Sequence, residues 1–262
     1  ILVDPTDNHG IVVGDSDFGD NHSKDRLELA IKWLDYVVRG IDNGVKCEPP
    51  ITIFVMGINQ WRGEHEWPLA RTEFVNYYLH ARGSRHGALD TMLPANESPT
   101  QYNYDPEDPV PTLGGNHSGP QDHPETIRVG ALDQRPNWHR SDVLVFSTPP
   151  LEKDIEVTGP INARIFAASS APDTDFIVRL IDVYPNGTAY NLTEGIIRAR
   201  FRESVWGQPK LLTPGEIYSY DIELQPTSNV FLKDHRICVH VPSSSFPLWD
   251  RNPNAGHPQG MG

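Results

Sequence analysis

A serine near the start of the chain lies in a pattern close to that of an acyl-transfer nucleophile. Such a nucleophile is normally written G-x-S-x-G, and its serine occupies a strained turn between a strand and a helix, which exposes the hydroxyl beside backbone N–H donors. Ser16 lies in GDSDFG at 14–19, where Phe18 replaces the second glycine of the pattern. No apolar strand leads into a helix at the required offset, so we expect Ser16 to be an ordinary loop residue.

A histidine at position 9 is the second candidate for this chemistry. An apolar run at 1–3 is followed by a turn at 4–8, and His9 comes at the tip of that turn. A loop just past a strand end is where one large class of hydrolases places its general base, after the nucleophile and the acid in chain order. The residues alone leave two interpretations open, a catalytic base and an exposed loop histidine.

The other polar residues do not indicate a metal or cofactor site. The chain has 11 histidines, but none forms an H-E-x-x-H pair or a cluster with cysteine at zinc spacing. Asp173 and Asp175, in APDTDF at 171–176, could bind calcium. Side-chain hydrogen bonds that shape the turn before a strand are their favoured use. We therefore expect neither a metal nor a cofactor.

The charge balance argues against polyanionic partners. The chain of 262 residues has 22 Lys and Arg against 35 Asp and Glu, a formal net charge of −13. This is the wrong sign for binding nucleic acid or an anionic membrane surface. The longest apolar runs, such as ITIFVMG at 51–57, are also far shorter than the roughly 20 residues of a membrane-spanning helix. We expect no nucleic-acid partner and no membrane partner.

The two cysteines and the beginning of the chain say little about the compartment. Cys47 and Cys238 each lie in an apolar neighbourhood, which predicts two buried thiols, although a disulfide between them stays open. No targeting signal is recognisable at the beginning of the sequence. The localisation is left unknown, with the cytoplasm favoured over secretion.

Turn residues divide most of the chain in a way typical of a β-sandwich. The 24 prolines and 21 glycines separate short β-branched and aromatic runs. One segment differs, because apolar residues at helical spacing after Ser23, a good N-cap type, predict a helix over 24–39. Strands are predicted at 51–57 and 74–79, and seven further runs follow residue 142. The aperiodic stretch 81–138 is predicted to be a long surface connection.

The run DFIVRLIDVY at 175–184 gives a specific expectation for side-chain placement. Alternation along a strand places one set of side chains in the core of the sandwich and the other set outside it. The two sets are Phe176, Val178, Leu180 and Asp182 on one face, and Ile177, Arg179 and Ile181 on the other. We expect one of the two faces to be only partly covered.

Several long and co-linear stretches resemble one family of hydrolases. This is the CocE/NonD family, with cocaine esterases and α-amino acid ester hydrolases among its members and the X-Pro dipeptidyl-peptidases as more distant relatives. The matching stretches are DFG at 17–19, WLDYVVRGIDNG at 33–44, PPITIFVMGINQWRGEHEWPLA at 49–70, YDPEDPVPTLGG at 104–115, DVLVFSTPPLEKDIEVTGPI at 142–161, SSAPDTDFIVRLIDVYPNG at 169–187 and PTSNVFLKDHRICVHVPSSSFPLWDRNPNAG at 226–256. Together they cover most of the chain.

The resemblance implies an all-β fold attached to a catalytic domain. Members of the family combine an α/β-hydrolase domain that carries a Ser-His-Asp triad, a helical cap, and a C-terminal jelly-roll (galactose-binding-like) β-sandwich that helps to wall the substrate cleft. By this resemblance, residues 1–45 are the C-terminal edge of the α/β-hydrolase domain, with a connecting helix left over from it. Residues 46–262 are the jelly-roll β-sandwich domain.

The resemblance also assigns a role to His9. By position His9 matches the triad histidine, although the turn at 4–8 reads DPTDN and lacks the tryptophan of the family's Gly-Pro-Trp-type turn. The serine and the acid of the triad would belong to sequence before Ile1. The implied partner is therefore an N-terminal α/β-hydrolase catalytic domain, the implied substrate is a small acyl ester or peptide, and a homo-oligomer is left open. We expect this chain alone to be inactive.

Two rival interpretations remain. The chain could be a free-standing carbohydrate- or ligand-binding β-sandwich, in which exposed tryptophans form a binding platform. The residues for it are Trp61, Trp67, Trp206 and Trp249. A complete small hydrolase that uses Ser16 and His9 is disfavoured, because the two residues lie close together in one loop.

A missing catalytic domain would leave apolar surface exposed on the residues that contact it. We expect this surface on the predicted helix at 24–39, or on the loops near 61–68 and 243–251. The side chains expected to form it in those loops are Trp61, Trp67, Phe246, Leu248 and Trp249.

Overall fold

The computed structural model describes residues 12–19, 24–81, 83–117 and 128–257. The structure consists mainly of strands. In chain order these elements are β1 (Val12–Val13), β2 (Ser16–Asp17), α1 (Arg26–Val37), β3 (Ile51–Val55), β4 (Gln60–Glu64), β5 (Tyr78–His80), β6 (His86–Asp90), α2 (Arg135–Trp138), β7 (Val143–Ser147), β8 (Ile155–Ala167), β9 (Asp175–Val183), β10 (Ala189–Arg198), β11 (Tyr218–Phe231) and β12 (Arg236–Pro242). Short 3₁₀ turns lie at Val45–Cys47 and Ala199–Phe201.

Two layers of strands form a β-sandwich, as predicted. The main sheet has the order β10-β9-β12-β7-β6-β5, and its neighbouring strands are antiparallel except for the parallel pair β6 and β7. The long antiparallel pair β8 and β11 forms the second layer. The hydrophobic core between the layers includes Phe176, Val178, Leu180, Tyr220 and Phe231. The predicted all-β sandwich is therefore confirmed.

The side chains of strand β9 alternate between the two faces of the main sheet, as expected. The prediction that one of these faces is only partly covered is wrong. All nine of its residues are buried. The set that begins with Phe176 lies in the core between the layers, whereas Ile181 and Val183 belong to a second apolar cluster on the outer face of the main sheet. That cluster also contains Val110, and Trp138 packs against it. Both of these residues come from the stretch predicted to be a surface connection.

In the described parts of the stretch, residues 110–117 and 128–138 form a covering layer rather than a surface connection. Val110, Gln134 and Asn137 are buried. The Gln134 backbone N–H donates to the Ala189 carbonyl oxygen at 2.7 Å, and its side-chain amide donates to the Leu113 carbonyl oxygen at 2.7 Å. Because side-chain amides satisfy the backbone here, these residues can be buried with little regular structure beyond the single turn of α2. This is why their sequence shows no periodicity.

The predicted helix and the strand at 74–79 differ from the structure at their ends. Helix α1 is capped by Asp25, whose carboxylate accepts hydrogen bonds from the backbone N–H groups of Leu27 and Glu28. The cap expected at Ser23 lies outside the described residues. Strand β5 begins only at Tyr78, and Phe74 is 72% exposed. The strand predicted at 51–57 is present as β3.

The two cysteines are free thiols in different environments. Cys238 is buried in β12, as predicted, and burial raises the pKa of its thiol to about 12. Cys47 is exposed in the 3₁₀ turn at Val45–Cys47, so the prediction that it is buried is wrong. Its apolar neighbours continue into β3, whereas Cys47 itself precedes that strand. Within the described ranges, no helix is long and apolar enough to cross a membrane.

Candidate functional site

The segment that follows His9 is a short hairpin anchored on the sandwich. His9 itself lies outside the described residues. In the hairpin, β1 pairs with β2, and the Asp15 backbone N–H donates to the Ala131 carbonyl oxygen at 2.7 Å. The Arg128 guanidinium donates to the Asp15 carboxylate at 2.8 Å. The hairpin is thus held by residues 128–131 of the covering layer.

Ser16 lies in this hairpin, in strand β2, opposite Val13. The sequence predicted an ordinary loop residue here, whereas the structure places Ser16 in a strand. Ser16 does not occupy a nucleophile elbow either, because β2 ends at Asp17 and helix α1 begins only at Arg26. Gly14 has a positive φ of 72°, and a side chain there would collide with the Ala131 backbone. The glycine of the serine pattern is therefore explained by close backbone contact within the hairpin.

The hairpin also contacts strand β3 and the turn after it. The Asn59 side-chain amide donates to the Asp17 carbonyl oxygen at 3.3 Å. Phe18 packs edge-on against Phe54 of β3, with 6.0 Å between ring centroids. The hairpin is therefore anchored beside β3 as well as on residues 128–131.

Helix α1 comes after the hairpin and exposes many of its apolar side chains. Its contacts with the chain include the Asn43 side-chain amide, which donates to the Lys32 carbonyl oxygen at 2.7 Å, and an ion pair between Lys32 and Glu48. The large apolar residues exposed on or just after it, by 40–73%, are Leu27, Leu29, Ile31, Trp33, Leu34, Val37, Val38 and Ile41. Glu28, Lys32 and Asp35 lie at i, i+4 and i+7 and form one charged stripe, and apolar residues occupy most of the remaining surface of the helix. A helix with so wide an apolar face normally packs against other elements.

The loop residues expected to share this exposed surface are less exposed than α1. Trp67 and Phe246 are 39% and 41% exposed. The ring of Trp61 meets Phe54 edge-on at 5.3 Å between centroids, and the Lys24 ammonium lies over the Trp61 ring, 4.7 Å from its centroid. The expected apolar surface is thus concentrated on the helix.

The four tryptophans of the rival binding platform lie in different environments. The Trp249 indole N–H donates to the Glu194 carboxylate at 3.0 Å, and Trp61 makes the internal contacts just described. Trp206, by contrast, is 95% exposed in the loop that follows the 3₁₀ turn at Ala199–Phe201. Internal contacts thus explain two of the four rings.

Asp173 and Asp175 pair with arginines, which agrees with a structural role for these two residues. The Asp173 carboxylate accepts from the Arg200 guanidinium at 2.8 Å and from the Arg200 backbone N–H at 3.0 Å. Arg198 binds the Asp175 carboxylate through two hydrogen bonds, and the Asn252 amide donates to both aspartates at 2.8 Å. Burial raises the pKa of Asp175 in spite of Arg198. In the described part of the chain no group of residues could hold a metal ion.

A buried arginine on β9 organises the polar groups beneath the covering layer. Arg179 donates to the Glu194 carboxylate at 2.7 Å, to the Gln134 side-chain oxygen at 3.0 Å and to the Ser245 hydroxyl at 2.9 Å. The Trp249 indole N–H donates to the same carboxylate. The sequence analysis missed this cluster, although an arginine inside the apolar run at 175–184 was a signal for it. The cluster joins β9 and β10 to the covering layer and to the segment after β12.

A buried histidine lies beside this arginine. His240 is fully buried on β12, directly opposite Arg179 in the strand pairing. Burial, together with the nearby positive charge of Arg179, lowers the pKa of His240 to about 3. Its ring meets Trp138 edge-on, with 5.7 Å between centroids. His240 is therefore a neutral packing residue rather than a base for chemistry.

Comparison with protein families and known proteins shows where this fold occurs. Residues 43–260 match the family described as the X-Pro dipeptidyl-peptidase C-terminal non-catalytic domain. The chain is 44% identical over 232 residues to a cocaine esterase of Rhodococcus sp. (strain MB1 Bresler), an alignment that covers 86% of this chain and 39% of the esterase.

Two solved structures contain a similar fold over part of their length. The crystal structure of an aminopeptidase from a marine sediment Thaumarchaeota archaeon superposes with a TM-score of 0.75 at 32% identity, over 89% of this chain and 39% of that one. The structure of an α-amino acid ester hydrolase superposes with a TM-score of 0.74 at 32% identity, over 87% of this chain and 38% of that one. The chain therefore spans well under half the length of these relatives.

Proposed function

Since this chain belongs to the family of X-Pro dipeptidyl-peptidase C-terminal domains found in CocE/NonD hydrolases, we propose that it is the non-catalytic part of a serine acyl hydrolase. In this proposal an N-terminal α/β-hydrolase domain supplies the nucleophile and the acid of the triad. The sandwich packs on that domain and walls its substrate cleft. The proposed substrate is a small acyl ester or peptide.

The exposed apolar surface of α1 carries this proposal. Half-exposed leucine, valine and tryptophan side chains on a helix are unfavourable in water, and their burial in an interface would stabilise the whole protein. In the sequence, the helix comes after His9 and after the hairpin of β1 and β2. Residues 1–45 are accordingly proposed to be the C-terminal edge of the catalytic domain, and 46–262 the sandwich domain. The family match from residue 43 supports a boundary there.

The division of chemistry in this proposal follows from the residues available. His9 would take the proton from the nucleophilic hydroxyl as it attacks the acyl carbon, and would then return it to the leaving group. The resulting acyl-serine is hydrolysed by water with the same histidine as base. An isolated histidine cannot carry out this sequence, because the covalent intermediate forms on a hydroxyl that another domain supplies.

The isolated chain of 262 residues is expected to lack esterase activity. It should hydrolyse p-nitrophenyl acetate no faster than free imidazole at matched concentration, because no activated nucleophile is present. The release of p-nitrophenol, followed by absorbance, measures this. A burst of one equivalent per chain that disappears in Ser16→Ala would overturn the proposal in favour of a complete small hydrolase.

Substitution of Trp33 tests the proposed interface. Trp33 is 54% exposed in this chain and Trp206 is 95% exposed, so Trp33→Lys and Trp206→Lys should each change the stability of the isolated chain by about 0.5 kcal/mol or less. In the whole protein, Trp33→Lys should lower the free energy of unfolding by about 3 kcal/mol, as removal of a buried tryptophan does. Trp206→Lys should remain neutral there.

Denaturant unfolding of the four variants, two in each context, gives the answer. An equal effect of the two lysine substitutions in the whole protein would contradict α1 as the docking surface.

The reading frame upstream of Ile1 is a simpler test of the rival binding module. An in-frame G-x-S-x-G sequence supports the hydrolase, whereas a stop codon with a start codon near Ile1 supports a free-standing module.

A further inference from the structure

A histidine at the edge of the main sheet lies between two carboxylates. His80 ends β5, the edge strand, and its side chain is 7% exposed. Its Nδ1 is 2.5 Å from a carboxylate oxygen of Glu97. Its Nε2 is 3.1 Å from a carboxylate oxygen of Asp90 and 2.9 Å from the carbonyl oxygen of Met92. Both ring nitrogens therefore face oxygen atoms that only accept hydrogen bonds.

The number of acceptors determines the number of protons on the ring. A neutral imidazole has one N–H, so one of its nitrogens would meet an acceptor without a proton between them. The imidazolium ion has two N–H groups and satisfies both sides. Asp90 and Glu97 lie against opposite nitrogens of the ring, which is not the arrangement of ligands around one metal ion. The geometry thus favours a protonated histidine in the folded chain.

The charges around His80 also favour the protonated form of its ring. The hydrogen bond to Glu97 is the main cause that raises the pKa of His80, and burial opposes it. The Met92 carbonyl oxygen and the charges of Asp90 and Glu97 raise the pKa further. These two carboxylates, one on β6 and one on the segment after it, are the charged groups that act on the ring in the described structure.

The contacts of His80 hold the beginning of the segment that leads to the covering layer. The Met92 backbone N–H donates to the Asp90 carboxylate at 2.7 Å, so Asp90 links His80 to the turn after β6. Glu97 lies five residues further along and reaches back to the other side of the ring. Between Asp90 and Glu97 in the sequence, the side chains of Met92 and Leu93 are 69% and 74% exposed. Residues 91–97 are therefore held in place mainly by the polar contacts of His80, and few apolar contacts assist them.

We propose that His80 is a pH-sensitive clamp, whose imidazolium ion holds residues 91–97 to the edge of the main sheet and whose deprotonation releases them. The proton linkage has a definite sign. A raised pKa in the closed state means that the clamp is fully formed below the ordinary histidine pKa of about 6.5 and is lost as the pH rises through the raised value. Between these two values, the opening equilibrium constant should rise about tenfold per pH unit for one proton.

Hydrogen exchange of the amides at 91–97 in the chain tests the clamp. Rates are divided by the intrinsic rates of an unstructured peptide at each pH, so that the base catalysis of exchange is removed. In the wild-type chain, the opening equilibrium constant should rise with pH and then become constant above the raised pKa of His80. His80→Gln should show opening that does not depend on pH, at the level of the wild-type plateau. Glu97→Gln should lower the ring pKa measured by NMR and narrow the range of pH over which opening rises.

Two controls make every outcome decisive. Glu73→Gln removes an exposed carboxylate elsewhere and should leave both the His80 titration and the exchange profile unchanged. The NMR titration reports on the ring even if exchange in the variants is altered by a folding defect. A His80 ring that titrates at or below 6.5, or a wild-type exchange profile that His80→Gln reproduces, would overturn the proposal.

Discussion

Replacement of Arg179 by methionine is expected to lower the free energy of unfolding by about 3–5 kcal/mol. Arg179 is 1% exposed on strand β9, between β10 and β12, and its guanidinium binds Glu194, Gln134 and Ser245. Methionine fills much of the same volume, so the main loss is electrostatic. The substitution leaves the Glu194 carboxylate in a poorly solvated place without its cation, and the Gln134 side-chain oxygen loses the hydrogen bond from Arg179.

The control for this substitution is a surface ion pair of the same type. Arg164 binds Asp221, and their side chains are 65% and 67% exposed. Arg164→Met should therefore cost less than about 1 kcal/mol. Urea unfolding of both variants measures the difference. Losses of similar size would show that the buried pair at Arg179 contributes no more than a surface pair does.

A double variant separates the buried charge from packing. If the unpaired Glu194 carboxylate causes the loss, Arg179→Met combined with Glu194→Gln should be more stable than Arg179→Met alone, because the remaining group is neutral. If methionine simply packs badly, the second substitution should give no recovery. The sign of the change from the single to the double variant decides between these two causes.

The same region shows what the sequence could predict about the fold. The run at 175–184 contains β-branched and apolar residues at a regular spacing, which predicted strand β9 and its two alternating sets of side chains, but not which set lies in the core. The covering of the outer face could not be predicted, because the layer that covers it comes from residues 110–117 and 128–138. That layer is stabilised by amides such as those of Gln134 and Asn191, which donate to or accept from the backbone. Such contacts leave no periodic trace in the sequence.

The candidate site was predictable to a smaller extent. Helical spacing predicted α1, and exposed apolar surface was expected either on this helix or on two loops; only the structure shows that the helix carries most of it. The exclusion of Ser16 as a nucleophile stays a prediction, and the structure explains Gly14 of its pattern by close backbone contact. His80 attracted no attention, because Asp90 and Glu97 lie at spacings that match no motif. His9 was identified through a family resemblance and remains a proposal.

Substitution of His9 should have the largest effect on activity. In the proposed whole protein, His9→Ala is expected to lower kcat for ester hydrolysis by on the order of 10⁴- to 10⁶-fold, as the loss of the base does in enzymes with a serine triad. The serine would then lack a group to accept its proton during attack. Steady-state hydrolysis of an activated ester measures the loss, and thermal unfolding shows whether the fold survives.

A second histidine provides the matched control for this prediction. His139 is exposed just after α2, so His139→Ala should leave kcat unchanged within a factor of about two, which corresponds to less than 0.5 kcal/mol. The proposed docking of α1 on the catalytic domain makes a further demand. Trp33→Lys, which disturbs the docking of α1, should reduce activity by displacing His9 but should not abolish it. If His9→Ala keeps most of the activity while folding normally, the triad histidine lies elsewhere, and His9 is an exposed loop residue.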